Sequence, residues 1–255
     1  MALNSPGTRG VEITHRKDTL LKNLLERLKY LNGGKILDVA TGHGDFLKEL
    51  TEAFGDFKQA IGVDTNPERV QTAKDNAESG LEFMVMDAAK LDFDDNHFDT
   101  VAIRHSLHHL EQPEPVLNEM KRVLKPGGLF VVGEVFQCPE ITAENAQRHL
   151  HHWWAEVDRA RGIFHGETYT REQILQITAP VNLKPVETFE DIEQYDEEEE
   201  FEIVKSMLKT VDQYIDLLSD SGDHEDIIEK GRALQRMHAD GRFTNEKTIY
   251  ILARK

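Results

Sequence analysis

Apolar positions alternate in kind along this chain. Leu20, Leu21, Leu24, Leu25, Leu28 and Leu31 recur at helical spacing, and Asn32-Gly33-Gly34 ends that helix. Short apolar runs then alternate with helical patterns. KILDVA (35–40), QAIGVD (59–64), LEFMVMD (81–87), FDTVAIRH (98–105) and LFVVGEV (129–135) read as buried strands. Between them, Asp45 to Phe54, Pro67 to about Gly80 and Pro113 to Leu124 read as helices, the last closed by Lys125-Pro126-Gly127-Gly128. Such alternation predicts a doubly wound parallel sheet with right-handed crossovers and helices on both faces.

After the fifth strand the pattern changes. Residues 140–161 form a helical stretch rich in His and Trp, and Thr170 caps a short helix. LKPVETFEDI (183–192) reads as a strand, and KTIYILARK (247–255) as a final one that lies at the sheet edge or pairs with it. Two helical patterns, 201–218 and 224–238, lie between them. The whole, 1–255, reads as a single domain: a core over 33–136, a helical lid over 137–182 and a helical insertion over 195–240.

In open α/β sheets, ligands bind beyond the carboxyl ends of the strands. Those ends carry Asp38 to Gly44, Asp64, Asp87, Arg104-His105 and Glu134, polar groups that each follow a buried run. The turn DVATGHGDF (38–46) lacks the Lys-Ser/Thr of a phosphate loop and the third glycine of a dinucleotide loop. Asp45 at its mouth repels a pyrophosphate. The turn therefore suits close backbone approach by a ligand without phosphate. Asp64, 20 residues beyond Gly44, stands where a carboxylate takes both ribose hydroxyls, and Asp87 where one accepts an adenine amino group. The plainer alternative is that both carboxylates only cap turns.

Charge narrows the partners. A net charge of −17 over 255 residues argues against a protein that grips nucleic acid. The single cysteine, Cys138, forms no internal disulfide and belongs to no Cys/His zinc pattern. Neither a signal core nor a membrane-length apolar run is present, so a cytoplasmic setting without a membrane partner is expected.

DVATGHGDF, GVDTNPE (62–68), MDAAKLDFDDNHFDTVAIRHSLHHL (86–110) and MKRVLKPGG (120–128), in that order, resemble class I S-adenosylmethionine-dependent methyltransferases. The similarity is to the small-molecule branch that includes the ubiquinone/menaquinone-biosynthesis enzymes. It covers roughly 33–136, with the final strand a weaker match. It implies a Rossmann-like, seven-stranded, mostly parallel sheet with an antiparallel last strand, and S-adenosyl-L-methionine as cofactor. By that resemblance Asp38, Ala40, Thr41, Gly42 and Gly44 meet the methionine moiety; Asp64, Thr65 and Asn66 hold the ribose; Asp87 and Ala88 meet the adenine; and Arg104 lines the cofactor. Ala40 stands where many relatives have glycine.

The remaining constellations concern the acceptor. His105 and Glu134, at strand ends, are the candidate general bases, since histidine titrates near neutral pH. His108, His152, Trp153 and Trp154 are candidate substrate contacts on the lid, although aromatics at helical spacing usually pack into core. His105 with His108, or His149 with His152, could share a helical face for a metal, but no carboxylate or cysteine accompanies them, and no metal is expected. The acidic run Asp191 to Glu202 reads as a solvated helix start. The stripe Phe201, Val204, Met207, Leu208, Val211, Ile215 and Leu218 reads as core, a dimer contact being the other role open to the insertion. The expected activity is methyl transfer to a small-molecule oxygen or nitrogen, with a ring carbon open. A non-catalytic nucleoside-binding protein on the same fold and a nicotinamide-dependent oxidoreductase are the rivals.

Overall fold

The computed structural model describes residues 22–137, 146–192, 197–219, 224–239 and 247–255. Leu20, Leu21, Cys138 and the 193–196 part of the acidic run fall outside them. The elements in chain order are α1 (Lys22–Leu28), β1 (Gly34–Val39), α2 (Asp45–Phe54), β2 (Phe57–Asp64), α3 (Pro67–Asp75), β3 (Leu81–Val85), β4 (Phe98–Arg104), α4 (Pro113–Val123), β5 (Leu124–Val135), α5 (Ala146–Ala160), α6 (Arg171–Thr178), β6 (Lys184–Ile192), α7 (Glu197–Ser219), α8 (Glu225–Met237) and β7 (Lys247–Arg254). Short 3-10 turns span Leu107–His109 and Ala179–Val181.

The sheet has seven strands in the order β3-β2-β1-β4-β5-β7-β6. β1, β2, β3, β4 and β5 pair in parallel, and β7 runs antiparallel to both its neighbours. From β1 the chain winds outward to β3, then returns to lay β4 on the other side of β1. That reversal is the switch point of the sheet, where the loops after β1 and β4 diverge and leave a crevice.

Strand parity builds the core. Successive side chains point to opposite faces. Leu37, Val39, Ile61, Val63, Val101, Ile103, Phe130 and Val132 pack on one face with Leu117 and Met120 of α4 and Ile174 of α6. Ile36, Ala60, Ala102, Leu129 and Val131 pack on the other with Leu24 and Leu28 of α1, Leu47 and Leu50 of α2 and Val70 of α3. Runs buried on both faces are why the parallel strands read as continuous apolar stretches.

Several boundaries differ from those the pattern predicts. β3 ends at Val85, because Met86 and Asp87 turn out of the sheet, although Met86 N–H still donates to Asp64 O at 2.9 Å. α3 stops at Asp75, short of Gly80. Leu124 already pairs with Phe98, so the Lys125 to Gly128 segment is an irregularity inside β5 and not a plain helix closure. β7 pairs with β6 as one of the two readings allowed, but it lies inside the sheet and β6 forms the edge.

Three of the helices after β5, α5, α7 and α8, form a separate apolar unit. Leu150, Trp153 and Val157 of α5 pack with Val211, Tyr214, Ile215 and Leu218 of α7 and with Ile228 and Leu234 of α8. The insertion therefore closes on the lid helix. Of its predicted stripe, Val204, Val211, Ile215 and Leu218 are buried, and Phe201 is exposed. Trp153 is 0% exposed, and its Nε1–H donates to Ile227 O at 2.7 Å. Gly231 lets that ring come close, since a Cβ there would stand 2.4 Å from Trp153 Cζ2. Trp153 is thus core and not a cavity wall. No helix among the described residues is long and apolar enough to cross a membrane.

Trp153→Ala is expected to lower the unfolding free energy by about 3–5 kcal/mol in chemical denaturation, the cost of a large unfilled core cavity. A loss under about 1 kcal/mol would show that the ring contributes little to this core.

Candidate functional site

A cavity of about 430 Å³ opens at the switch point, lined by Asp38, Ala40, Thr41, Gly42, His43, Asp45, Phe46, Val63, Asp64, Thr65, Arg69, Met86, Asp87, Ala88, Arg104, His105, Ser106, His109, Leu110 and Val116. Its size is that of a site for one small ligand. A second groove, about 590 Å³, lies against Gln112, Pro113, Glu114, Pro115, Asn118, Gln176, Ile177 and Pro180. It touches none of the strand-end residues.

The glycine turn is shaped by positive φ angles at Ala40 (+54°), Gly42 (+58°) and Gly44 (+92°). Alanine in this region carries a steric cost of about 1–2 kcal/mol. Gly44 backs the turn onto the fold, since a Cβ there would meet Phe83 Cζ at 2.5 Å. At Gly42 a Cβ would meet nothing within 4 Å, so bare backbone faces open space. The turn is tied down by Thr41 N–H to Val63 O and Gly44 N–H to Thr41 O, each 2.9 Å.

Asp64 joins this turn to the tip of β2. Its Oδ2 accepts from Gly42 N–H and its Oδ1 from Asn66 N–H, both at 2.9 Å. Each oxygen keeps a lone pair, because an ionised carboxylate has about four acceptor positions. Asn66 itself caps α3, its Oδ1 accepting from Glu68 N–H at 2.9 Å and Arg69 N–H at 3.1 Å. It does not line the cavity, and neither does Gly44. Thr65, exposed, does. Asp87 is exposed at the cavity mouth, with Oδ1 accepting from Ala89 N–H at 2.9 Å and Ala88 buried beside it.

Asp38 is strongly perturbed by its burial in the wall. It is 1% exposed, and its Oδ2 accepts from the Thr41 hydroxyl at 2.6 Å. Oδ1 is buried with no hydrogen-bond partner. Burial pushes the carboxyl up to about 7 from 3.8, against the lowering effects of Thr41 and of nearby Arg104. An orphaned acceptor on a cavity wall suits a cationic ligand group. Arg104, at the end of β4, is paired with Glu49 of α2 and lies with Cζ 4.3 Å from the centre of the Phe46 ring.

His105 has φ +48° and reaches the cavity, with Nε2 2.8 Å from the Thr248 hydroxyl of β7. Burial first, then Arg104 and His108, hold its pKa well below 6.5. It is a neutral imidazole at neutral pH.

Glu134 departs from the expected position at the crevice. In β5 it shares the face of Phe130 and Val132, which sends it under the turn Leu107–His109. There, at 0% exposure, Oε2 accepts from Ser106 N–H (3.1 Å) and Leu107 N–H (2.6 Å), and Oε1 lies 2.8 Å from His108 Nδ1. With its oxygens so engaged and no face on the cavity, it orders the turn. The expected acceptor contacts are also elsewhere. His108 is buried behind the wall, and His152 Nε2 lies 3.1 Å from the Thr168 hydroxyl. Trp153 is core, and Trp154 packs with ring centre 6.2 Å from that of Tyr214.

The structure adds Phe46, Glu49, Arg69, Met86, Ser106, His109 and Leu110 at or beside the wall. Phe46 and Glu49 read in the sequence as ordinary helix positions. The available signal was that they sit within two turns of the helix leaving the glycine turn, on the end nearest the ligand.

Residues 37–132 match the family model described as a methyltransferase domain. UbiE of Pseudomonas fluorescens (strain Pf0-1), a ubiquinone/menaquinone biosynthesis C-methyltransferase, is 37% identical over 107 residues, 40% of this chain and 42% of that protein. UbiE of Ectopseudomonas mendocina (strain ymp) is 35% identical over 107 residues, with the same coverage of 40% and 42%. The chain spans less than half the length of these relatives. Among solved structures, BH2331 of Bacillus halodurans C-125 superposes with a TM-score of 0.57 at 21% identity, covering 91% of this chain and 97% of that one. The [4+2]-cyclase SpnF also gives 0.57, at 19% identity and 91% and 78% coverage. The fold is that of the class I methyltransferases. Within it, residues 37–132 match the methyltransferase-domain model and resemble the corresponding part of UbiE.

S-adenosylmethionine fits the residues present. Its amino-acid tail carries an ammonium for Asp38 Oδ1 and a carboxylate for Arg104, and its ribose suits the spare lone pairs of Asp64.

Asp38 also predicts a pH effect. Between about pH 4 and 7 the folded protein holds a proton that the unfolded chain releases, so this group lowers stability as pH rises through that window, by up to about 4 kcal/mol. Asp38→Asn is expected to be more stable than the parent at pH 8, with little difference at pH 4, in urea denaturation at the two pH values. An equal effect at both pH values would show that Asp38 is ionised throughout.

Proposed function

We propose that the protein transfers the methyl group of S-adenosylmethionine to a small-molecule acceptor. The observation that carries this reading is the convergence of Asp38, Asp64 and Asp87 with the open backbone at Gly42 on one cavity at the sheet's switch point. That set is complementary to an adenosine with a zwitterionic tail and offers no cradle for a pyrophosphate. When bound, the cofactor supplies a methyl group on a sulfonium, ready for in-line displacement.

The chain's own work is then positioning. Asp38 and Arg104 hold the two charges of the tail, Asp64 and Thr65 the ribose, and Asp87 and Ala88 the adenine. His105 takes the proton of an oxygen or nitrogen acceptor. When Nε2 donates its proton to Thr248 Oγ1, Nδ1 is left as the acceptor. An oxygen or nitrogen target is favoured by this neutral base at the wall. A ring-carbon target is the second reading, favoured by the C-methyltransferase relatives. The family match ends at residue 132, before α5, so the acceptor side carries no inherited assignment.

Calorimetric titration with S-adenosylhomocysteine is expected to show binding, and with NADH none. Asp64→Ala should weaken the former by roughly 10- to 150-fold, the worth of a hydrogen bond to a charged group. NADH binding without adenosylhomocysteine binding would overturn the reading. Binding without turnover of methyl-labelled cofactor across phenols, amines and quinols would favour a non-catalytic protein. With an active acceptor in hand, His105→Ala should lower kcat by about 10²–10⁴-fold and leave the cofactor KM unchanged. An unaltered kcat would remove its role as base.

A further inference from the structure

Behind the cavity wall lies a histidine cluster that methyl transfer does not use. We propose that His108, His151 and His165 bind a divalent transition-metal ion, zinc being the fitting case. This inference does not depend on the methyltransferase reading.

The three come from three separate parts of the chain: the turn Leu107–His109, α5, and the segment before α6. A candidate ligand atom of each lies within 4.8 Å of the other two, and His151 Nε2 is 3.1 Å from His165 Nε2. The ring centres are 4.7 Å (His108–His151), 5.7 Å (His108–His165) and 5.1 Å (His151–His165) apart. Zinc–nitrogen bonds of about 2.0–2.1 Å in a tetrahedral arrangement need nitrogens about 3.3 Å apart, close to the 3.1 Å His151–His165 separation, so contraction of at most about 1.5 Å from the 4.8 Å bound makes the site.

The hydrogen bonds say which nitrogens face inward. Glu134 Oε1 takes Nδ1 of His108 and Asp158 Oδ2 takes Nδ1 of His165, each at 2.8 Å. A carboxylate on Nδ1 fixes the ring proton there and leaves the Nε2 lone pair for a ligand. Metal-binding histidines are oriented in this way. His108 Nε2 is the telling atom: it is buried, in a side chain 1% exposed, and has no hydrogen-bond partner. A proton shared between His151 and His165 would satisfy those two and leave His108 Nε2 orphaned. A cation satisfies all three at once.

The donor set selects the ion. Three imidazoles suit zinc, copper, nickel or iron, whereas magnesium and calcium want oxygen ligands. Three protein ligands leave a fourth position for water or another donor. His109, whose ring centre is 4.2 Å from those of both His108 and His165, separates the cluster from the cavity it lines.

The test uses the full chain, stripped with a chelator and then titrated with zinc chloride against a chromophoric competitor. One equivalent per chain is expected, with a raised Tm. Asp158→Asn should weaken binding by about 10–100-fold, and His151→Ala and His165→Ala by more. His149→Ala, which touches His238 and lies outside the cluster, should leave it unchanged. Because a buried variant can fail to fold, cobalt(II) loading of the unaltered protein gives an independent readout. Visible d–d bands of a four- or five-coordinate, nitrogen-ligated ion are expected. Less than half an equivalent of zinc, binding unaltered in the His151 and His165 variants, or a cobalt spectrum no different from the hydrated ion would each overturn the proposal.

Discussion

The carboxylate of Asp64 holds the site together. One oxygen accepts from the glycine turn that follows β1, the other from the residue that caps α3, so the loops after β1 and β2 are joined by a single side chain. Neither loop has a regular structure of its own to hold it. Hydrogen bonds to a charged acceptor contribute about 1.5–3 kcal/mol each, enough to keep Gly42 in its positive-φ conformation facing the cavity. Because these bonds take only part of the carboxylate's accepting capacity, the group that builds the pocket also remains available to a ligand. Position of the turn and recognition by the turn are then one property.

Buried carboxylates elsewhere divide the same work differently. Asp38 keeps an unpartnered oxygen and a raised pKa on the cavity wall, an unfavourable state in the empty fold that a ligand cation relieves. Glu134 is as deeply buried but is saturated by three backbone N–H groups, of Ser106, Leu107 and Val135, and by His108, which makes it part of the frame. Burial alone does not mark a functional acid; an unsatisfied oxygen facing a cavity does. By the same measure Asp158, bound to His165, resembles Glu134 in supporting a ring rather than meeting a ligand.

Much of the cavity wall was legible because a parallel strand has one ligand-facing end, and the residue at that end can be counted. Asp38, Asp64, Asp87, Arg104 and His105 are such residues, and all line the cavity. Asn66 and Glu134 were misjudged for a reason the pattern cannot supply. Strand and loop position say where a backbone goes, whereas the direction of the side chain depends on parity and on which amides need an acceptor. Trp153 and Trp154 posed the helical version of that problem: adjacent residues lie about 100° apart, and only the packing of α7 and α8 on α5 decides which ring turns inward. The histidine cluster lay beyond reach altogether, since no local spacing links residues 108, 151 and 165.

The fold therefore constrains the cofactor far more than the reaction. The [4+2]-cyclase SpnF has the same architecture with a TM-score of 0.57, which shows how little the sheet itself dictates about the bonds that change. Most of the chain beyond the family match is the material after β5. That material includes a three-helix unit with its own apolar core, joined to the sheet through the Phe136–Tyr169 bridge and the Gln137 N–H bond to Tyr169 O. None of its residues lines the cavity at the strand ends, so side chains within the unit can change without disturbing the loops there. The strand ends can be read from the sequence pattern, whereas the helical unit must be read from tertiary packing.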